Sequence, residues 1–298
     1  MAATFTMDPD WLVYAATPTK PRFTLPPGTV DAHCHVFGPG DRFPFAPERK
    51  YTPCDAGKEE LFRLRDFLGV ARNVVVQATC HGTDNSAMLD VLASSNDRCR
   101  GVATVTPEVS EHELEEMHAK GVRAVRFNYV RRLVDPEPDE YYHRIVDKIG
   151  PLGWHVVVYF ERADLEERWD FFTSLRTIVV VDHLGRPDVT ESVSGEGFGR
   201  FLRLLRDHEN FWCKVTCPER LSNSGPPDYR DAIPFAQRVV AEFPERVLWG
   251  TDWPHPNLKG SMPDDGLLVD LVPLVAPSAE LQRALLVDNP TRLYWGDT

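Results

Sequence analysis

Eight short apolar runs, separated by stretches with helical periodicity, are what most narrows the folds open to this chain. The runs cover 28–37, 73–79, 100–105, 124–129, 155–160, 177–183, 211–216 and 246–252. Between and after them, 59–68, 85–93, 111–120, 139–149, 164–175, 198–207, 229–242 and 279–287 suit helices. Several runs are unbroken Val or Ile, the pattern of strands buried on both faces in a parallel sheet covered by helices. A count of eight favours closure into a single (β/α)8 barrel of the TIM type. Ser110 reads as an N-cap with Glu113 at the capping-box position and Gly121 as the stop. Residues 1–27, rich in Pro and Thr, read as an N-terminal arm on the surface, and 28–298 as the barrel. Gly and Pro crowd 37–58, a long loop of the sort that tends to be functional.

The net charge of −12 argues against general nucleic-acid or anionic-membrane binding, because both need a positive surface. An anionic small molecule would need a local cluster of Arg or Lys. Six Cys without a C-x-x-C pair suit a reduced interior. The opening residues show neither a basic start nor an apolar run of signal-peptide length, and no run of about 18 apolar residues follows. The expectation is a cytoplasmic protein.

In such barrels chemistry sits where strands end. The first run carries His33 and His35, which period-2 alternation would put on one face with Asp31. The sixth ends at His183 and the eighth at Asp252; Thr79 and His81 follow the second, Arg126 and Asn128 lie on the fourth, and Tyr159 on the fifth. Arg131, Arg132 and Arg220 come just past strands four and seven. His33, His35, His183 and Asp252 could supply Zn²⁺ with nitrogen and oxygen ligands. A binuclear site would also need a Lys or Glu on strand four and a His late on strand five. Those places hold Arg126, Asn128 and Tyr159, while His155 stands at the wrong end. A mononuclear site stays open on residue types alone.

Three motifs, DAHCH at 31–35, VDHLGRP at 181–187 and WGTDWPHP at 249–256, together resemble the amidohydrolase superfamily, in its branch of 2-pyrone-4,6-dicarboxylate lactonases. The likeness runs from Val30 to Trp295 and includes VFGP at 36–39, VQATCHGTDN at 76–85, RFN at 126–128 and TCPER at 216–220. The resemblance implies opening of a pyrone lactone without metal or cofactor, in the 4,5-cleavage catabolism of lignin-derived protocatechuate. It implies Asp252 as general base, with His33, His35 and His183 orienting the carbonyl and stabilising the oxyanion. It further implies two cationic clamps for the two substrate carboxylates: Arg126 and Arg132 with Tyr159, and Arg220 with Tyr51 and Thr79. His81, Asn128 and Asn257 are expected to line the pocket. Arg131 is the weaker neighbour, and Cys34, Cys80 and Cys217 read as inert buried thiols.

Two other readings stand beside this one. A zinc-dependent lactonase or decarboxylase of the same superfamily, acting on a related muconate-type acid, would share most of these residues. A dicarboxylate-binding protein without activity would use the Arg set, but would not place Asp252 beside its ligand.

Overall fold

The computed structural model describes residues 5–296. Its strands are β1 (Val30–Cys34), β2 (Arg72–Val76), β3 (Cys99–Ala103), β4 (Val122–Asn128), β5 (His155–Tyr159), β6 (Val179–Val181), β7 (Phe211–Val215) and β8 (Val247–Trp249). They pair in parallel and in chain order as one eight-stranded sheet, with helices between them. This is the (β/α)8 barrel that the alternation requires.

No ladder joins β8 back to β1. Closure instead uses loop and side-chain bonds: Asp252 N donates to His33 O at 2.8 Å, His35 N to Trp253 O at 2.7 Å. Buried Asp31 accepts from Thr251 N at 3.0 Å and Thr251 Oγ1 at 2.8 Å. The approach is so close that a Cβ at Gly250 would lie 2.5 Å from His33 N, so only glycine fits there. Inside, small side chains such as Val30, Val74, Val102 and Val157 meet Trp212 and Leu248 with Tyr294 among them. A larger apolar layer separates strands from helices. Each such side chain contributes about 1.5–3 kcal/mol on full burial, which is why a Val-rich strand needs both layers.

The strands stop short of the expected ends at several of the residues of interest. His183 and Leu184 have φ of 52° and 58°, and Asp252 has 64°, conformations that cannot continue a strand. The capping box forms as expected, Glu113 N donating to Ser110 Oγ at 3.2 Å and Ser110 N to Glu113 Oε2 at 2.8 Å. The expected helix over 164–175 is two, Arg162–Glu167 and Trp169–Ser174, broken at Arg168 (φ −116°, ψ 19°). The closing helix also differs: Ala279–Arg283 passes through a π turn at Ala284–Asp288 into Asn289–Trp295. Pro290 sits in the first turn of that last helix, where a missing N–H costs nothing. Between β8 and Ala279, where no helix was expected, lie Asp265–Asp270 and Val272–Val275, the first capped by Asp264.

Residues 5–29 contain no helix or strand. Their bonds run from Asp8 N to Thr52 O, Leu12 N to Leu258 O, and Thr19 N and Oγ1 to Asp264. Among the described residues, no helix is long and apolar enough to cross a membrane.

Candidate active site

The placement of His33 and His35 depends on a bulge. Pairing between β1 and β2 slips between Asp31 and Cys34, three steps on β1 matching two on β2. An extra residue reverses the phase of everything after it. Val30 and Ala32 belong to the barrel interior, Cys34 packs outward, and both imidazoles converge on Asp252. Asp31, expected on the same face, turns to Thr251 instead.

His33 is fully buried. Its Nε2 lies 3.3 Å from His35 Nε2 and 3.4 Å from Asp252 Oδ1; its Nδ1 lies 2.9 Å from Lys214 Nζ. Burial and the Lys214 ammonium push its pKa down to about 3, so the ring is neutral. Behind it, Asp182 binds Arg126 through Oδ2, Nε and Nη2 both at 2.9 Å. Against the effect of burial, Lys214, His33 and Arg126 hold this carboxyl well below the usual range. His35 Nδ1 can only donate to the carbonyl of Val76, 2.8 Å away, which leaves its Nε2 as an acceptor 3.3 Å from Asp252 Oδ1. His183 faces Thr216 Oγ1 at 2.6 Å and Cys217 Sγ at 3.8 Å.

Asp252 is buried, with Oδ1 toward the imidazoles and Oδ2 held by Arg220, Nε at 3.2 Å and Nη2 at 3.0 Å. Burial alone would raise its pKa; the Arg220 guanidinium keeps it well below the carboxylate norm. Arg220 in turn is 3.7 Å from Glu219 Oε1, which is 3.7 Å from His255 Nδ1, and His255 Nε2 is 3.1 Å from Asp265 Oδ1. Burial disfavours the imidazolium of His255, but Asp265 and Glu219 outweigh it and raise the pKa to about 10. Its stabilisation is therefore complete below the unfolded value of about 6.5 and lost as pH rises through 10. His255→Gln is expected to destabilise the fold by about 3 kcal/mol at pH 6, the cost of breaking a buried ion pair. The gap to wild type in thermal unfolding should narrow steadily up to pH 10; a gap that stays constant would show a neutral His255.

Above these groups is a narrow cavity lined by His35, Tyr51, Thr79, Arg126, Arg132, Tyr159, His183, Arg220, Asp252 and Asn257. Arg126 stacks on Tyr159, 4.9 Å from the ring centre. The Tyr159 hydroxyl accepts from Arg132 at 3.3 Å and Arg186 at 3.1 Å. Thr79 Oγ1 and Tyr51 OH are 3.3 Å apart, and Asn257 Oδ1 is buried without a partner among the described residues. Three expectations need correction. His81 does not line this cavity: its ring accepts from Gly38 N at 3.1 Å and donates to Pro44 O at 3.2 Å, so it fastens the long loop. Asn128 lines a neighbouring cavity, and its Oδ1 takes the N–H of Val130. Arg220 is not a free clamp, since Asp252 already occupies it.

The amidohydrolase family model matches residues 30–295. The chain belongs to the amidohydrolase family. A 2-pyrone-4,6-dicarboxylate hydrolase of Comamonas testosteroni is 63% identical, with 98% of both chains covered. A 4-sulfomuconolactone hydrolase of Hydrogenophaga intermedia is 38% identical, with 92% of this chain and 90% of that one covered. A solved structure from Acinetobacter baumannii, with citric acid bound, is 25% identical at a TM-score of 0.76, covering 90% and 99%.

For this amidohydrolase, sequence reasoning missed Asp182, Arg186, Lys214, Glu219, His255 and Asp265. Two had a signal. Lys214 interrupts the apolar strand FWCKV, and Lys is almost never fully buried unless paired. Asp182 follows Val180 by two residues, and Val180 faces the interior. Asp265, far along the loop after β8, had none.

Proposed function

We propose that the chain hydrolyses the lactone of 2-pyrone-4,6-dicarboxylate to 4-carboxy-2-hydroxymuconate, in equilibrium with 4-oxalomesaconate. The observation that carries this reading is the 63% identity, end to end, with the Comamonas testosteroni hydrolase. The cavity suits such a substrate. Arg132 with Tyr159 would take one carboxylate, and Arg126, whose Nε and Nη2 are on Asp182, would add only its remaining N–H groups. Tyr51, Thr79 and Asn257 offer polar contacts for the other, with Arg220 at hand beside Asp252.

In the reaction, water on Asp252 Oδ1 gives its proton to the carboxylate as its oxygen bonds to the lactone carbonyl carbon. His183, on the cavity wall, stabilises the oxyanion, while buried His33 steadies Asp252 Oδ1 through its Nε2 proton. Collapse of the tetrahedral adduct breaks the ring C–O bond, and Asp252 returns the proton to the departing enol oxygen. A dicarboxylate that engages Arg220 would loosen its hold on Asp252, making that carboxylate more basic when the proton must move.

The reading includes no metal. His33, His35 and Asp252 place donor atoms within 4.8 Å of one another, a spacing an ion could use. The surrounding charge does not fit one: Lys214 stands against His33, and Arg220 holds the other oxygen of Asp252. The leaving group is a conjugated enolate, which needs little Lewis acidity. The decisive experiment follows loss of the pyrone's ultraviolet absorbance with purified, chelator-treated protein. Ring opening releases a proton, so rising pH should favour opening and falling pH closure. Absence of turnover would overturn the function; turnover lost on chelation and restored by stoichiometric Zn²⁺ would overturn the metal-free mechanism.

A further inference from the structure

We propose that Lys214 is a positioning residue that sets the hydrogen-bond direction of His33 and keeps a divalent cation out of the His33, His35 and Asp252 cluster. The inference deepens the metal-free reading above and rests on it. Lys214 lies on β7, two residues after Trp212 and on the same inward face, with no exposed surface. Its Nζ is 2.9 Å from His33 Nδ1 and 3.2 Å from Asp182 Oδ1.

An ammonium has only protons to give. His33 Nδ1 is therefore the acceptor, and the neutral ring carries its proton on Nε2. That proton points toward Asp252 Oδ1 and His35 Nε2, both of which are acceptors there because His35 has committed its own proton to Val76. A protonated nitrogen has no lone pair for a metal. Asp182 Oδ1 is also 3.2 Å from His33 Nδ1, so the ammonium and this carboxylate compete for one ring nitrogen. Charge points the same way: Lys214 Nζ lies 2.9 Å from His33 Nδ1 and Arg220 Nη2 3.0 Å from Asp252 Oδ2, so two cations already flank the three donor atoms that an ion would use.

Removal of the ammonium reverses both effects. Asp182 would then take the proton of His33 Nδ1, the carboxylate–histidine arrangement that orients metal-binding imidazoles. His33 Nε2 would present a lone pair beside those of His35 and Asp252, and one of the two flanking cations would be gone. Lys214 thus holds His33 as the proton donor of the cluster, and its loss leaves a three-ligand zinc site.

Lys214→Met, close in volume and apolar, tests this. After equilibration with Zn²⁺ and desalting, elemental analysis and calorimetry should find one zinc per chain in the variant, held on the order of 100-fold tighter than by wild type. The added site should disappear in Lys214→Met/His35→Asn, which separates it from adventitious binding to cysteine. In wild-type protein labelled with nitrogen-15 histidine, the His33 signal, assigned by its loss in His33→Asn, should show the Nε2-protonated tautomer. That spectrum decides the proposal even if the variant fails to fold. A wild-type ring protonated on Nδ1, or a folded variant that binds no more zinc than wild type, overturns the role of Lys214. Neither result touches the metal-free reading, which fails separately if chelated wild type needs Zn²⁺ for turnover.

Discussion

Asp252→Asn is expected to lower kcat on the order of 10⁴-fold, the upper range for loss of a positioned general base, while the protein still folds and binds a dicarboxylate. The carboxylate has one oxygen committed to Arg220 and the other free to face the imidazoles and a reacting water. An amide matches its shape but cannot take a proton. It also leaves the Arg220 guanidinium less neutralised, so affinity for an anionic product should hold or rise. Steady-state kinetics and product titration together check this. Near-native kcat, or loss of product binding equal to loss of turnover, would remove the general-base assignment.

Arg220→Met is expected to reduce kcat/KM by about 10²- to 10³-fold, the scale of breaking one partner out of a buried charge pair. Sequence alone suggested a simple affinity defect from a missing clamp. The geometry requires a second signature, because Arg220 is the first of the charged partners that hold the Asp252 carboxyl well below its usual range, against burial. A carboxyl held low gives stabilisation that is present above its unfolded pKa and lost only in strong acid. Without the guanidinium its pKa rises, so the acid limb of the kcat/KM profile should move to higher pH. An effect confined to KM, with the acid limb unmoved, would show that Arg220 acts on substrate alone.

Much of the architecture was legible because strand burial in a barrel writes itself as Val runs, and eight such runs leave few topologies. The capping box at Ser110 and Glu113 was equally plain, since both partners are three residues apart. Boundaries at β6 and β8 were not, because the left-handed turns at His183 and Asp252 follow from contacts across the mouth rather than from neighbours in sequence. His81 and Asn128 were misplaced for a related reason. A polar residue near a strand end looks alike whether it faces the cavity or fastens a loop.

What the sequence determined by itself was the barrel, the family and the inventory of polar groups at the strand ends, all properties of local pattern. Tertiary structure decided how those groups are used. The bulge in β1 turns His33 and His35 to the same centre. Contacts between residues far apart in the chain tie Arg220 to Asp252, Arg126 to Asp182 and Lys214 to His33. Charge, proton position and donor direction are set by such neighbours at about 3 Å, and only the folded chain brings them together.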